Sequence, residues 1–105
     1  MEEVEIKKKE SAAIIAPKEK LDISNSEDFK AKLSELYEQG YDKIIIDLSE
    51  VKMIQSSGVG ALLSFNDNLI KNGGELKIIN VNNDYLKKVF KMTNLNKIID
   101  VEGMD

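Results

Sequence analysis

"IDLSEVKMIQSSGVGALL", Ile46 to Leu63, passes from an apolar run through two serines and two glycines into a second apolar run. On its upstream side, Lys43 to Leu48 (KIIIDL) is rich in β-branched residues. Its continuous apolar character predicts a central strand covered on both faces. On its downstream side, apolar residues recur at helical spacing from Val59 to Asn72, and Gly73-Gly74 closes the segment. A strand feeding a helix is the unit from which α/β sheets are built. At such a junction, Ser56 and Ser57 can serve as a helix cap, a nucleophile, a phosphate cradle or a target for modification.

The segments on either side extend the pattern. Val4 and Ile6 alternate with charged neighbours, so Glu3 to Lys8 reads as a half-exposed edge strand. Ala12 to Ala16 (AAIIA) is a second strand, stopped by Pro17, and Ser11 with its neighbours makes the hairpin turn between them. After Leu21, Ser24 or Asn25 can cap a helix whose first turn carries Glu27 and Asp28 near the positive end of its dipole. Phe29, Leu33, Leu36 and Tyr37 recur along that helix, and Gly40 ends it. Glu75 to Asn80 is a further strand, Asn82 or Asn83 caps a third helix bearing Tyr85, Leu86, Val89 and Phe90, and Ile98 to Val101 is a last strand. The order ββαβαβαβ predicts an α/β sandwich over residues 1–105, a single domain.

An angular reading sharpens the serine junction. At about 100° per residue with Val59 at zero, Leu62, Leu63, Leu69 and Ile70 fall within about 80° of it. Phe65 lies at one margin of this stripe and Asn66 projects into its middle, where it needs a hydrogen-bond partner if buried. Ser57 falls near ~160° from Val59, beside Ser64 and Asn68, which predicts an exposed hydroxyl. Spacing alone favours the cap, with Gly58 and Gly60 letting the helix pack closely.

Composition removes several chemistries. There is no Cys and no His, so disulfides, thiolate nucleophiles and the commonest general base are excluded. All 15 basic residues are Lys, and the net charge of -4 is interspersed, which leaves no basic face for nucleic acid. The run Lys7-Lys8-Lys9 is followed at once by Glu10 and reads as a solvated strand end. No stretch approaches the ~20 apolar residues of a membrane span, and the charged N-terminus is unlike a signal peptide, so a cytoplasmic protein is the expectation. SSGVGA lacks the Lys and the Gly spacing of a P-loop, and Gln55 stands where a hydrolase elbow has Gly. No catalytic constellation, metal set or cofactor motif is present, which predicts a protein that is not an enzyme.

Taken in order, IIIDLSEVKMIQSSGVGALL resembles the signature of the STAS domain of bacterial anti-sigma-factor antagonists, the anti-anti-sigma factors. That signature is an apolar strand, then D-L/F-S-x-V, an apolar residue, Asp-Ser, a small residue and Gly, and a helix. LDISNSEDF resembles the family's entry to its first helix, and NGGELKIINVNNDYLKKVFKMTNLNKIIDV its next strand, third helix and closing segment. The likeness covers roughly residues 4 to 101. It implies a mixed sheet with helices mainly on one face, and the chain leaves little room for the family's terminal helix.

The resemblance also implies a function. Ser57 matches the serine that an anti-sigma factor with serine kinase activity phosphorylates, and a serine phosphatase resets it. The unmodified domain would bind that kinase and free the sigma factor, with phosphate adding about −1.5 to −2 charge at the interface. Gln55, Ser56, Ser57, Gly58 and Val59 would lie at the partner surface, with Asp22, Ser24 and Asn25 alongside, and the free protein would be a monomer. Two other readings are a STAS interaction module that is not phosphorylated, in a stress-signalling or transport assembly, and a nucleotide-binding module. The departures from the pattern are Gln55 in place of Asp, Asn94 in place of Gly before Leu95, and Glu19 where Gly commonly precedes the Leu-Asp pair.

Overall fold

The computed structural model describes residues 4–104. β1 (Val4–Lys9) and β2 (Ala12–Pro17) form the hairpin, antiparallel in register from Val4 opposite Pro17 to Lys9 opposite Ala12. Glu10 in its two-residue turn takes φ +55°, the left-handed region such turns require. The edge strand β1 carries three exposed lysines, a charge pattern that blunts edge-to-edge pairing. From β2 onward the sheet is parallel, through β4 (Lys43–Asp47), β6 (Glu75–Ile79) and β7 (Asp100–Val101), in the order β1-β2-β4-β6-β7.

That order explains a departure from the sequence reading. Each crossover moves one strand further in the same direction, and right-handed crossovers in one direction put every helix on the same face. The helices are α1 (Ser26–Glu38), α2 (Ser56–Lys71) and α3 (Asp84–Met92). Beneath them Ala13, Ile15, Ile44, Ile46 and Ile78 are almost completely buried, and Leu76 nearly so. The alternate residues Ile14, Ile45 and Ile79 are only half-buried on the other face. The apolar run of β4 is therefore covered on one face, not both. The strand order also never reverses, so the sheet has no topological switch point, where open α/β sheets usually bind nucleotides.

Two short strands were not legible in the sequence. β3 (Glu19–Leu21) and β5 (Val51–Ile54) pair in parallel as a separate ribbon, so the order is βββαββαβαβ rather than ββαβαβαβ. β3 follows β2 after Lys18, and β5 follows β4 after Leu48–Glu50, so the ribbon continues the β2–β4 pair past the carboxyl ends of the main strands. Its register shifts at Glu19, whose φ is +70°. That left-handed position is the physical reason a Gly commonly stands there. Asn94, also noted in place of Gly, takes φ +58° as expected of an Asn.

Other expectations held or shifted locally. Asn83 caps α3, its Oδ1 accepting from the amides of Tyr85 (2.7 Å) and Leu86 (3.3 Å). Leu86 and Phe90 are buried and Val89 half-buried, but Tyr85 is exposed. Phe65, placed at the margin of the α2 stripe, is buried, whereas Ile70, placed within it, is exposed. Asn66 is buried as the angles required. The last strand shortens to Asp100–Val101, because Leu95–Lys97 forms a 3-10 turn that sinks Leu95 into the core and leaves Ile98 exposed. Glu3, read as the first strand residue, lies outside the described residues, and no helix follows β7 among those described.

Candidate functional site: the paired loops at the start of α2

The ribbon of β3 and β5 delivers two loops to one place. Leu21 is opposite Ile54, so Asp22 and Gln55 emerge side by side. The Gln55 amide donates to the Leu21 carbonyl at 2.9 Å, which joins the loops directly. Gly58 completes the junction. A Cβ there would sit 2.6 Å from the Leu21 carbonyl oxygen and 2.9 Å from Ile54 Cγ1, so only glycine lets α2 approach this closely. Gly60 has nothing within 4 Å of the equivalent position, so it is not a packing glycine.

Neither serine caps α2. Gln55 occupies the N-cap position without a side-chain capping bond, and the helix begins at Ser56. The amides of Gly58 and Val59 both donate to the Gln55 carbonyl, at 2.9 and 3.0 Å. The Ser56 and Ser57 amides precede that ladder, at the end of the helix where the dipole is positive. Ser56 is exposed, and Ser57, expected to be exposed, is half-buried. The Gln55 side chain is exposed, with Nε2 3.9 Å from Met53 Sδ.

The companion loop, Asp22 to Asn25, is held by its own side chains. Asp22 Oδ1 accepts from the Ser24 amide (2.9 Å) and the Ser24 hydroxyl (2.5 Å), while Lys20 Nζ lies 3.4 Å from Oδ2. The Ser24 hydrogen bonds, aided by Lys20, hold the Asp22 carboxyl below the usual range against the opposing effect of burial. Asn25 does not cap α1 with its side chain, as had been expected of Ser24 or Asn25. Its Oδ1 instead accepts from the Asp22 amide (3.0 Å), and its Nδ2 donates to the Lys20 carbonyl (2.8 Å). The amide of Ser26 is satisfied by the Asp22 carbonyl at 2.9 Å.

The residues singled out in the sequence thus converge, but in two layers. Asp22, Gly58 and Val59 are buried and set the geometry; Ser24, Gln55 and Ser56 face outward, with Asn25 and Ser57 between. Sequence reasoning passed over Ile23, which is 83% exposed at the tip of this braced loop, and Met53, also exposed beside Gln55. An aliphatic residue inside a run of turn formers was the available signal for Ile23. Tyr85 frames the far side of β5, its hydroxyl donating to the Ile54 carbonyl at 3.1 Å. Among the described residues no group of His, Cys, Asp and Glu is arranged to hold a metal ion, and no helix is long and apolar enough to cross a membrane.

A second braced carboxylate lies at the carboxyl end of β4. Burial works to raise the Asp47 pKa, but hydrogen bonds from the Ser49 amide (2.9 Å) and Asn80 Nδ2 (3.1 Å) outweigh it and leave the carboxyl below its usual range. Asn80 takes φ +59° there.

The STAS domain model matches residues 3–103, and the chain belongs to the STAS domain family. The chain is similar to the anti-sigma-B factor antagonist of Bacillus subtilis, 31% identical over 100 residues, covering 95% of this chain and 90% of that protein. A candidate anti-sigma factor antagonist of Thermotoga maritima is 28% identical over 93 residues, covering 88% of this chain and 81% of the relative. The crystal structure of such a Thermotoga maritima protein superimposes with a TM-score of 0.85 at 26% identity, over 93% of this chain and 84% of that one. The unphosphorylated form of the anti-sigma factor antagonist SpoIIAA shares the fold, with a TM-score of 0.79 at 23% identity over 93% and 86% of the two chains.

Proposed function

We propose that this chain is an anti-sigma factor antagonist, a non-enzymatic switch in which the paired loops dock on an anti-sigma factor and phosphate on Ser57 reverses the docking. The observation that carries the reading is the junction itself. A serine-bearing helix start and a preorganised loop are tied together by one backbone hydrogen bond, in a chain similar over nearly its whole length to the Bacillus subtilis antagonist. The loop Asp22–Asn25 is already ordered by its internal hydrogen bonds, so docking needs little further ordering. Ile23 at its tip supplies an aliphatic anchor, and Ser24, Gln55 and Ser56 supply polar contacts.

Phosphate suits a switch at this position. On Ser57, in the first turn of α2, it meets the positive end of the helix dipole, an effect of about 0.3–1 kcal/mol in its favour. The domain stays folded while an interface made for a neutral hydroxyl receives about −1.5 to −2 charge. The kinase is the anti-sigma factor, a serine phosphatase resets the switch, and both act in the cytoplasm. Among the relatives, SpoIIAA has a structure in a phosphorylated form, which makes the chemistry reasonable for this fold.

The test is binding of an anti-sigma factor kinase to the unmodified protein and to Ser57→Asp, followed calorimetrically. The reading expects the unmodified protein to bind and Ser57→Asp to bind at least ~100-fold more weakly, since a charge buried without a partner costs several kcal/mol. Equal affinities would sink it. Gln55 favours one rival, an interaction module that no kinase regulates, because the family pattern has Asp there. Under that rival, Ser57→Ala binds normally and ATP never dissociates the complex.

A further inference from the structure

The uncovered face of the sheet has a charge pattern that is largely complementary to itself. Three rows of side chains cross it. The first holds Lys9, Ala12, Lys43 and Glu75; the second Lys7, Ile14, Ile45, Lys77 and Asp100; the third Glu5 beside Ala16, and Asp47 beside Ile79. The first row, at the amino ends of the parallel strands, is basic towards β1 and β4. The third, at their carboxyl ends, is acidic on those same two strands. Between them Ala12, Ile14, Ala16, Ile45 and Ile79 form an apolar strip that no helix covers. A hollow of about 500 Å³ opens over Ala12, Ile14 and Ile45, walled by Lys7 and Lys9.

We infer that this face pairs with the same face of a second copy, the two sheets stacked with their strands antiparallel. A two-fold axis lying in the interface along the middle row reverses the strand direction. It brings Lys9 opposite Glu5 and Lys43 opposite Asp47 of the second copy, each contact occurring twice. The same operation sets Ala12 against Ala16, and Ile14 and Ile45 each against itself. A two-fold axis along the strands, between β2 and β4, would instead set β1 against β6, opposing Lys9 to Glu75 but Lys7 to Lys77, and would leave Lys43 and Asp47 facing alanines. The antiparallel orientation thus opposes more of the unlike charges of this face, the self-complementarity that an isologous interface needs. Lys7, Lys77 and Asp100 are the like charges that meet across the axis. Lys77 has its own partner in Glu102 at 3.4 Å, and Lys7 lies close enough to Asp47 to favour its ionised form.

Area sets the strength. Four full strands at about 4.8 Å spacing and five residues at about 3.3 Å give a flat face of roughly 300 Å², well below the ~800 Å² per partner of stable complexes. The dimer is therefore weak and forms only at high protein concentration, and the chain is monomeric when dilute. Ser56, Ser57 and Ile23 lie on the helix side, so pairing leaves both serine junctions open. The inference does not rest on the proposed function.

Sedimentation velocity from about 10 μM to 1 mM tests it. The sedimentation coefficient should rise with concentration toward that of a dimer, and Ile45→Lys should weaken association by at least ~10-fold with the thermal midpoint retained. Lys9→Glu and Glu5→Lys change exposed side chains, so both variants fold. Each alone should weaken the dimer, and the two together should restore it to within ~3-fold, since the pairs re-form with exchanged signs. A coefficient that stays monomeric up to the highest concentration overturns the inference. So does a double variant as weak as the sum of its singles.

Discussion

Replacing Gly58 by Ala tests the junction between α2 and β3 with a single methyl group. On helix propensity alone the change would stabilise a helix by about 0.8–1 kcal/mol. The structure opposes it. The new Cβ would lie 2.6 Å from the Leu21 carbonyl oxygen and 2.9 Å from both Leu21 Cβ and Ile54 Cγ1. Relief requires α2 to move away from β3 by about 0.8 Å to reach ordinary contact, an overpacking change that costs about 1–3 kcal/mol. The movement also stretches the 2.9 Å bond from the Gln55 amide to the Leu21 carbonyl, worth about 1 kcal/mol. The net is a destabilisation of about 1–3 kcal/mol, read from urea unfolding followed by circular dichroism. Gly60→Ala is the internal control, because nothing stands within 4 Å of its Cβ. It should stabilise by up to ~1 kcal/mol. If Gly58→Ala proved as stabilising as Gly60→Ala, the close approach of α2 to Leu21 would be refuted, and with it the pairing of the two loops.

Asn83→Ala removes the capping oxygen of α3 and the bond from Nδ2 to the Lys52 carbonyl, so thermal unfolding should show a loss of about 1 kcal/mol. Glu19→Gly relieves a left-handed non-glycine residue and loses only an exposed 3.8 Å ion pair with Lys52, so chemical denaturation should show a gain of up to ~1 kcal/mol. Asp22 and Asp47 have folded-state pKa values below the ordinary 3.8. Their contribution to stability is complete above that value and is lost as pH falls through the lower folded values. Stability measured against pH should therefore fall on the acid side of about 4, and Asp22→Asn should flatten that fall.

How far the sequence reaches depends on how long each element is. The helices and the four main strands declared themselves through periodicity, and Asn83 and Asn94 through side-chain chemistry suited to a cap and to a positive φ. β3 and β5 were invisible because three and four residues are too few to establish a period; only the backbone pairing of Leu21 with Ile54 defines them. The apolar run of β4 misled because Ile45 is half-buried on an uncovered face, a fact set by strand order rather than by local composition. Gly58 and Gly60 look alike in sequence and differ wholly in what their missing side chains would meet. Ser57 was placed on the right side of α2, but the helix begins one residue earlier and sinks it partway. The loop Asp22–Asn25 was placed beside the serines by resemblance; the structure adds Ile23 and the hydrogen bonds that hold it outward.

The central claim is that Ser57 is the residue through which a kinase partner reverses its own binding. The measurement is native mass spectrometry of the complex with an anti-sigma factor kinase before and after ATP, with the phosphorylated residue located by fragmentation. The account predicts one phosphate on Ser57 and dissociation of the complex, with Ser57→Ala remaining bound. A complex that forms but acquires no phosphate, or acquires it on the more exposed Ser56 alone, would contradict it.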